Sequence, residues 1–258
     1  MDASPTNGAR RVSDITAPRT WRRSERRAAP WSSRDVGAPA AGGDGALDRP
    51  EAERVARHRP PSLDHERWLP AGEAVVDLDR AARAVADLLD ALGVDRRTET
   101  LAGTPDRVAR AYAELLTPEP FEATTFPNDE GYDELVVVQA IPFSSLCEHH
   151  LLPFVGVAHV GYLPGERLLG LSKLARVVRH YSRRLQVQER LTTQVANWLE
   201  AELRPKGVGV VLEAEHACMS WRGVRSDGAR TVTSALAGLV RDDERTRAEF
   251  FALVGRRS

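Results

Sequence analysis

LVVVQAIPFSSLCEHHLLPFVGVAHVGYL, residues 135–163, is the stretch on which the reading of the fold turns. Its two flanks, 135–141 and 154–163, are rich in valine and aromatic residues and read as strands. Between them lies Ser144-Ser145-Leu146-Cys147-Glu148-His149-His150, a short connection loaded with groups that bind metals and move protons. Two strands joined this closely predict an antiparallel pair with chemistry at its turn.

Working outward, helical periodicity flanks this pair. Upstream, Leu78, Ala81, Ala82, Val85, Leu88, Leu89 and Leu92 recur at helical spacing, with Asp77 as N-cap and Gly93 as the stop. Thr104-Pro105 predicts a second helix, a capping residue followed by proline at the first position, running to Leu116. Residues 118–131 read as loop. Downstream, a helix is expected over 172–183, with Leu174, Val177, Val178 and Tyr181 as its apolar stripe. A longer one follows, with Val187, Leu191, Val195, Trp198 and Leu199 on one face. Strands are expected at 208–215, 217–224 and 231–240, and a closing helix at 243–254. The alternation is that of an α+β fold with a largely antiparallel sheet.

The first 66 residues are rich in Arg, Ala, Pro, Gly and Ser and lack hydrophobic periodicity, so we read them as a disordered, solvated extension. Residues 67–131 form an N-terminal helical region and 132–258 the sheet-bearing region. With 36 basic and 37 acidic residues the formal net charge is −1, which points to neither nucleic acid nor a membrane surface as partner. No apolar run approaches the roughly 18 residues of a membrane span, and the N-terminus does not read as a signal peptide. Two cysteines are too few for a disulfide framework and point to a reducing cytoplasm.

Cys147 and His150 form a Cys-x-x-His pair, the thiolate and imidazole that zinc prefers. On spacing alone, a pair of inert buried thiols or a Cys147–Cys218 disulfide fits as well. The surroundings favour a metal: His149 adjoins His150, and His216 stands two residues before Cys218. Read as strand, 217–224 places His216 and Cys218 on one face. Two thiolates and one imidazole make three protein ligands, leaving a coordination position for water, which favours catalysis over a four-ligand scaffold site.

Gly170-Leu171-Ser172-Lys173 opens a helix whose free N–H groups suit an anion. Lys173 and Arg176, with Arg222 and Arg107 from elsewhere, carry enough positive charge for a triphosphate; a solvated basic helix face explains the same residues. Gln186-Val187-Gln188-Glu189-Arg190 begins the next helix. There Glu189 can accept two hydrogen bonds from a guanine edge and Gln188 can hold the remainder, although a Glu at a helix start is also simply favourable with the dipole.

Cys147-Glu148-His149-His150, Gly170-Leu171-Ser172-Lys173, Gln186 to Leu191, and His216-Ala217-Cys218-Met219 through Arg222-Gly223-Val224 together resemble the GTP cyclohydrolase I family. Thr104-Pro105-Asp106-Arg107-Val108 and Thr231-Val232-Thr233-Ser234 match in order and spacing, so the resemblance covers about 75–254. It implies a tunnelling fold, with an antiparallel sheet, helices packed on one face and an N-terminal helical pair. It also implies a toroidal homodecamer with active sites at subunit interfaces. Zinc ligands carry over to Cys147, His150 and Cys218, and catalytic roles to His149, His216 and Ser172. Substrate contacts carry over to Gln188, Glu189, Ser172, Lys173, Arg176, Arg222 and, from a neighbouring subunit, Arg107. The implied reaction converts GTP to 7,8-dihydroneopterin triphosphate and formate, the first step of tetrahydrofolate and pterin synthesis. The long N-terminal extension and the 94–102 link depart from the family pattern. Three alternatives stand beside this reading. They are the same chemistry serving deazapurine synthesis, a non-catalytic purine-nucleotide binder, and a structural zinc module with a nucleic-acid-binding tail.

Overall fold

The computed structural model describes residues 76–255. The extension 1–66 and the first part of the 67–131 region lie outside the described residues. The chain folds as α1 (Leu78–Ala91), α2 (Glu99–Ala102), α3 (Thr104–Leu116), β1 (Thr125–Pro127), β2 (Val136–Cys147) and β3 (Pro153–Leu163). There follow β4 (Arg167–Leu169), α4 (Leu171–Ser182), β5 (Leu185–Gln186), α5 (Gln188–Leu203) and β6 (Gly207–His216). The chain ends with α6 (Ala217–Ser220), β7 (Thr231–Ala237), α7 (Gly238–Asp242) and α8 (Glu244–Gly255).

The main sheet has the order β5-β2-β3-β6-β7, antiparallel throughout except that β5 runs parallel to the end of β2. The predicted β2–β3 hairpin is present, and β2 continues beyond residue 141 through Pro142. Proline is tolerated there because β5 pairs only with Leu146 and Cys147, which leaves most of β2 at a sheet edge. A bulge between Val138 and Ile141, with Ala140 at φ +53°, breaks the register near the start of the strand.

Alternation along β3 and β6 sorts the two faces. Phe154, Ala158, Val160, Tyr162, Val208, Val210 and Leu212 face α4 and α5, whose Leu174, Val177, Val178, Leu191, Val195 and Leu199 are fully buried against them. Burying side chains of this kind contributes about 1.5–3 kcal/mol each. On the opposite face, Phe250 of α8 lies in a notch made by Gly161 and Gly209, which pair across β3 and β6. A Cβ on Gly209 would stand 2.6 Å from the Phe250 ring.

Asp77 caps α1 as expected, accepting from the Arg80 amide at 2.8 Å, and Gly93 follows the helix at φ +75°. Four local expectations are corrected. Gly103, not Thr104, is the N-cap of α3, and Pro105 sits in its first turn. The predicted loop 118–131 contains β1, a three-residue strand that exists only through its pairing with β4. The predicted strand 231–240 ends at Ala237, because the last partner on β6 is Gly207 and Gly238 turns away at φ +53°. Residues 217–220 are the helical turn α6 and not strand. β6 has no partner beyond His216, because β3 begins only one residue before Phe154, with which His216 pairs.

Candidate active site

The sheet order brings the two cysteine-bearing segments together. β2 ends at Cys147 in a tight turn closed by Cys147 N–H to Leu152 O and Leu151 N–H to Cys147 O, both 2.9 Å, with Leu151 at φ +55°. The chain re-enters the sheet as β3, and Phe154 of β3 pairs with His216, the last residue of β6. The α6 turn then carries Cys218 to the Cys147 turn. The donor atoms of Cys147, His150 and Cys218 all lie within 4.8 Å of one another. His216 and Cys218 therefore reach the site by a strand end and a helical turn, not as same-face residues of one strand.

The three residues fit a zinc ion. Around a tetrahedral zinc, with bonds of about 2.3 Å to sulfur and about 2.0 Å to nitrogen, neighbouring donors stand roughly 3.5–3.8 Å apart. Cys147 Sγ and His150 Nδ1 are 3.9 Å apart. Both cysteines are free thiols rather than a disulfide. Burial, and then the neighbouring Cys147 sulfur, pushes the Cys218 thiol above its ordinary range, with Arg222 acting weakly in the other direction. The Cys147 sulfur thus opposes ionisation of Cys218, and a divalent cation between the two removes that opposition.

The imidazoles differ in setting. His149 is exposed, with Nδ1 at 3.8 Å from Cys147 Sγ. His216 stacks on Phe154, with ring centroids 4.6 Å apart and planes within 2°, and its Nε2 lies 2.8 Å from Gln188 Oε1. Burial lowers the His216 pKa below the usual histidine value, and the nearby Glu189 carboxylate partly offsets that.

Glu189 is exposed in the first turn of α5, where a carboxylate is open to a ligand. Gln188 is not. It is only 1% exposed, and the two hydrogens of its amide NH2 are shared among three acceptors within reach of the nitrogen, Leu212 O, Thr231 O and Thr233 Oγ1. The polar atoms of the Gln188 side chain thus all have partners within the chain, the amide oxygen facing His216 Nε2.

Ser172, Lys173 and Arg176 lie on the first turns of α4, with Ser172 and Arg176 exposed; this N-terminus lacks a side-chain cap and has no acidic residue in its first turn. Arg222 follows α6, close enough to act on the Cys218 thiol. Arg107 is exposed and donates to Thr100 O at 3.0 Å and Thr104 Oγ1 at 2.8 Å, within its own helical region.

Three contacts had no assigned role at the level of sequence. Glu148 forms an ion pair with Arg190, whose Nε also donates to Gln186 Oε1 at 3.0 Å; this ties the Cys147 turn to the start of α5. Glu148 N–H donates to Gln186 O at 3.0 Å, reinforcing that tie. Tyr112 of α3 donates to Leu151 O at 3.0 Å, anchoring the turn from the other side. Glu148 and Arg190 lie within motifs visible in the sequence; Tyr112 carries no such signal.

Residues 81–255 match the family model described as GTP cyclohydrolase I. The GTP cyclohydrolase 1 of Streptomyces avermitilis is 55% identical over 185 residues, covering 69% of this chain and 90% of that protein. That of Mycobacteroides abscessus is 53% identical over 189 residues, covering 70% and 92%. That of Aquifex aeolicus is 51% identical over 179 residues, covering 69% and 97%. Identity of this order over nearly the whole length of those enzymes, together with the α+β architecture, shows that the chain belongs to the GTP cyclohydrolase I family and has its tunnelling fold.

Proposed function

We propose that the chain carries out its family's reaction, converting GTP and one net water to 7,8-dihydroneopterin triphosphate and formate, with zinc held by Cys147, His150 and Cys218. The observation that carries this reading is the convergence of those three donors, brought together by the turn after β2 and the α6 turn that follows His216. Zinc bound there supplies Lewis-acid activation of the water that hydrolyses the purine C8–N bonds.

Glu189 holds the guanine edge through its exposed carboxylate. Ser172, Lys173, Arg176 and Arg222, with Arg107 from a neighbouring copy, take the triphosphate at the uncapped start of α4. His216 delivers a proton to N7, which makes C8 electrophilic, and His149 assists proton transfer. Opening of the five-membered ring leaves a formamide, and a second hydrolysis frees formate. The ribose carbons then rearrange, with Ser172 assisting, and close onto the exposed amines with loss of water.

A homodecamer with sites between subunits is consistent with the exposed apolar residues Leu88, Leu92, Val155, Trp221, Val224 and Val232. A cytoplasmic location agrees with two thiols that must stay reduced to act as ligands. Among the described residues no helix is long and apolar enough to cross a membrane.

Cys218→Ser tests the reading. The variant is expected to lose stoichiometric zinc by elemental analysis and to release no formate from GTP. Undiminished formate release from metal-free protein would overturn the proposal.

A further inference from the structure

We propose that Gln188 is a positioning residue that fixes the tautomer of His216, so that Nε2 permanently carries a proton and Nδ1 is the nitrogen that exchanges one with substrate. This rests on the reading of His216 as the proton donor to the purine.

Leu212 O and Thr231 O are backbone carbonyls and can only accept, and they lie 3.1 and 2.9 Å from the amide nitrogen of Gln188. That end of the amide must be NH2; the flipped amide would set its oxygen against both carbonyls. The other end is then an oxygen, which can only accept, and it faces His216 Nε2 at 2.8 Å. Nε2 therefore bears a hydrogen whether the ring is neutral or charged.

The hydroxyls around the amide agree with this orientation. Thr192 Oγ1 donates to Gln188 O at 2.7 Å, so in the 2.7 Å contact between Thr192 and Thr233 the donor is Thr233. Thr233 Oγ1 is left to accept from the Gln188 amide at 3.1 Å. Every donor in this buried network then has an acceptor. The coplanar stack on Phe154 holds the imidazole ring in the orientation that makes the Gln188 contact.

The arrangement divides the work of the imidazole. A ring whose far nitrogen is held by a fixed acceptor keeps one orientation and one tautomer, and the acceptor stabilises the ring when it is charged. The start of β7 thus acts at a distance, chiefly through the Thr231 carbonyl, by setting the amide that sets the histidine.

The test uses the zinc-loaded full chain with ring-15N histidine, the His216 signals being assigned by their loss in His216→Asn. The neutral ring is expected to show a protonated Nε2 and a bare Nδ1; a protonated Nδ1 with bare Nε2 in the wild-type protein overturns the proposal without any variant at Gln188. Gln188→Met is expected to mix the two tautomers, to lower kcat about 10- to 100-fold, to leave KM for GTP within about twofold, and to retain zinc. A raised KM with unchanged kcat would instead make Gln188 a base contact and defeat the inference. If Gln188→Met does not fold, Thr192→Val with Thr233→Val provides the second variant. Both backbone carbonyls remain there, so the tautomer should be unchanged, and a switch of tautomer overturns the argument. Failure of the reading on which this rests shows separately, as His216→Asn retaining full formate release.

Discussion

Helices α5 and α1 are both amphipathic, but the chain treats them in opposite ways. α5 buries Leu191, Val195 and Leu199 completely beneath the sheet, along with Gln188, Thr192, Ala196 and Leu203. α1 buries no residue; Leu88 is 57% exposed and Leu92 69%. Periodicity in a sequence states that a helix has a face to cover, and it is silent on what covers it. α5 is covered by its own chain and carries residues of the candidate site. α1 packs on α3 and leaves part of its stripe to solvent or to another copy.

The contrast can be broken at its strong end first. Leu199→Ala should cost about 2–5 kcal/mol in denaturant unfolding, because it opens a cavity between α5 and the sheet. A loss below about 1 kcal/mol would mean that α5 is not anchored as its burial indicates. An intermediate case is α8, whose single buried residue is Phe250. Gly209→Ala should cost about 1–3 kcal/mol through overpacking, since the added methyl would stand 2.6 Å from the Phe250 ring. The rise in hydrogen exchange should concentrate in α8 and its neighbours. Leu88→Ala should change the stability of the dilute chain by less than about 0.5 kcal/mol. If α1 is covered by another copy in the proposed oligomer, that same substitution should lower the assembled mass by light scattering.

What the sequence conveyed follows the same division. The Cys147 and Cys218 windows, the β2–β3 pair and the stripes of α4 and α5 were legible because each is a local pattern of residue types. α6 was not, because Cys218, Met219, Trp221 and Val224 have a composition compatible with strand, and only the end of β3 dictates where β6 must stop. β1 was missed for a related reason: three residues including a proline carry no strand signal until β4 lies beside them. At the site, the sequence places Gln188 beside Glu189 but does not show its surroundings, because the carbonyls that its amide meets lie on β6 and β7.

The smallest effect concerns the joint between the two regions. The segment joining α3 to β1 is pinned to the core where Phe121 packs on His180 and Trp198 and where Glu119 pairs with Arg179 and Arg183. His180 Nδ1–H donates to Glu119 O at 3.0 Å, so its Nε2 is the acceptor for the Arg184 guanidinium at 2.9 Å. Burial first, and Arg184 further, lower the His180 pKa, while the bond to Glu119 O opposes them. The folded chain therefore binds this proton less readily than the unfolded chain, whose histidine titrates at about 6.5. The stabilisation is complete above that value and is lost as pH falls through the lower folded one. The other groups facing the ring do not reverse this sign: Arg179 and Arg183 are already paired with Glu119, and Tyr181 meets it edge-on. Amide exchange in residues 117–124, corrected for intrinsic rates, should rise as pH drops below about 6.5, and His180→Gln should flatten that dependence. An unchanged slope in the variant would remove His180 as the source of the pH sensitivity of the joint.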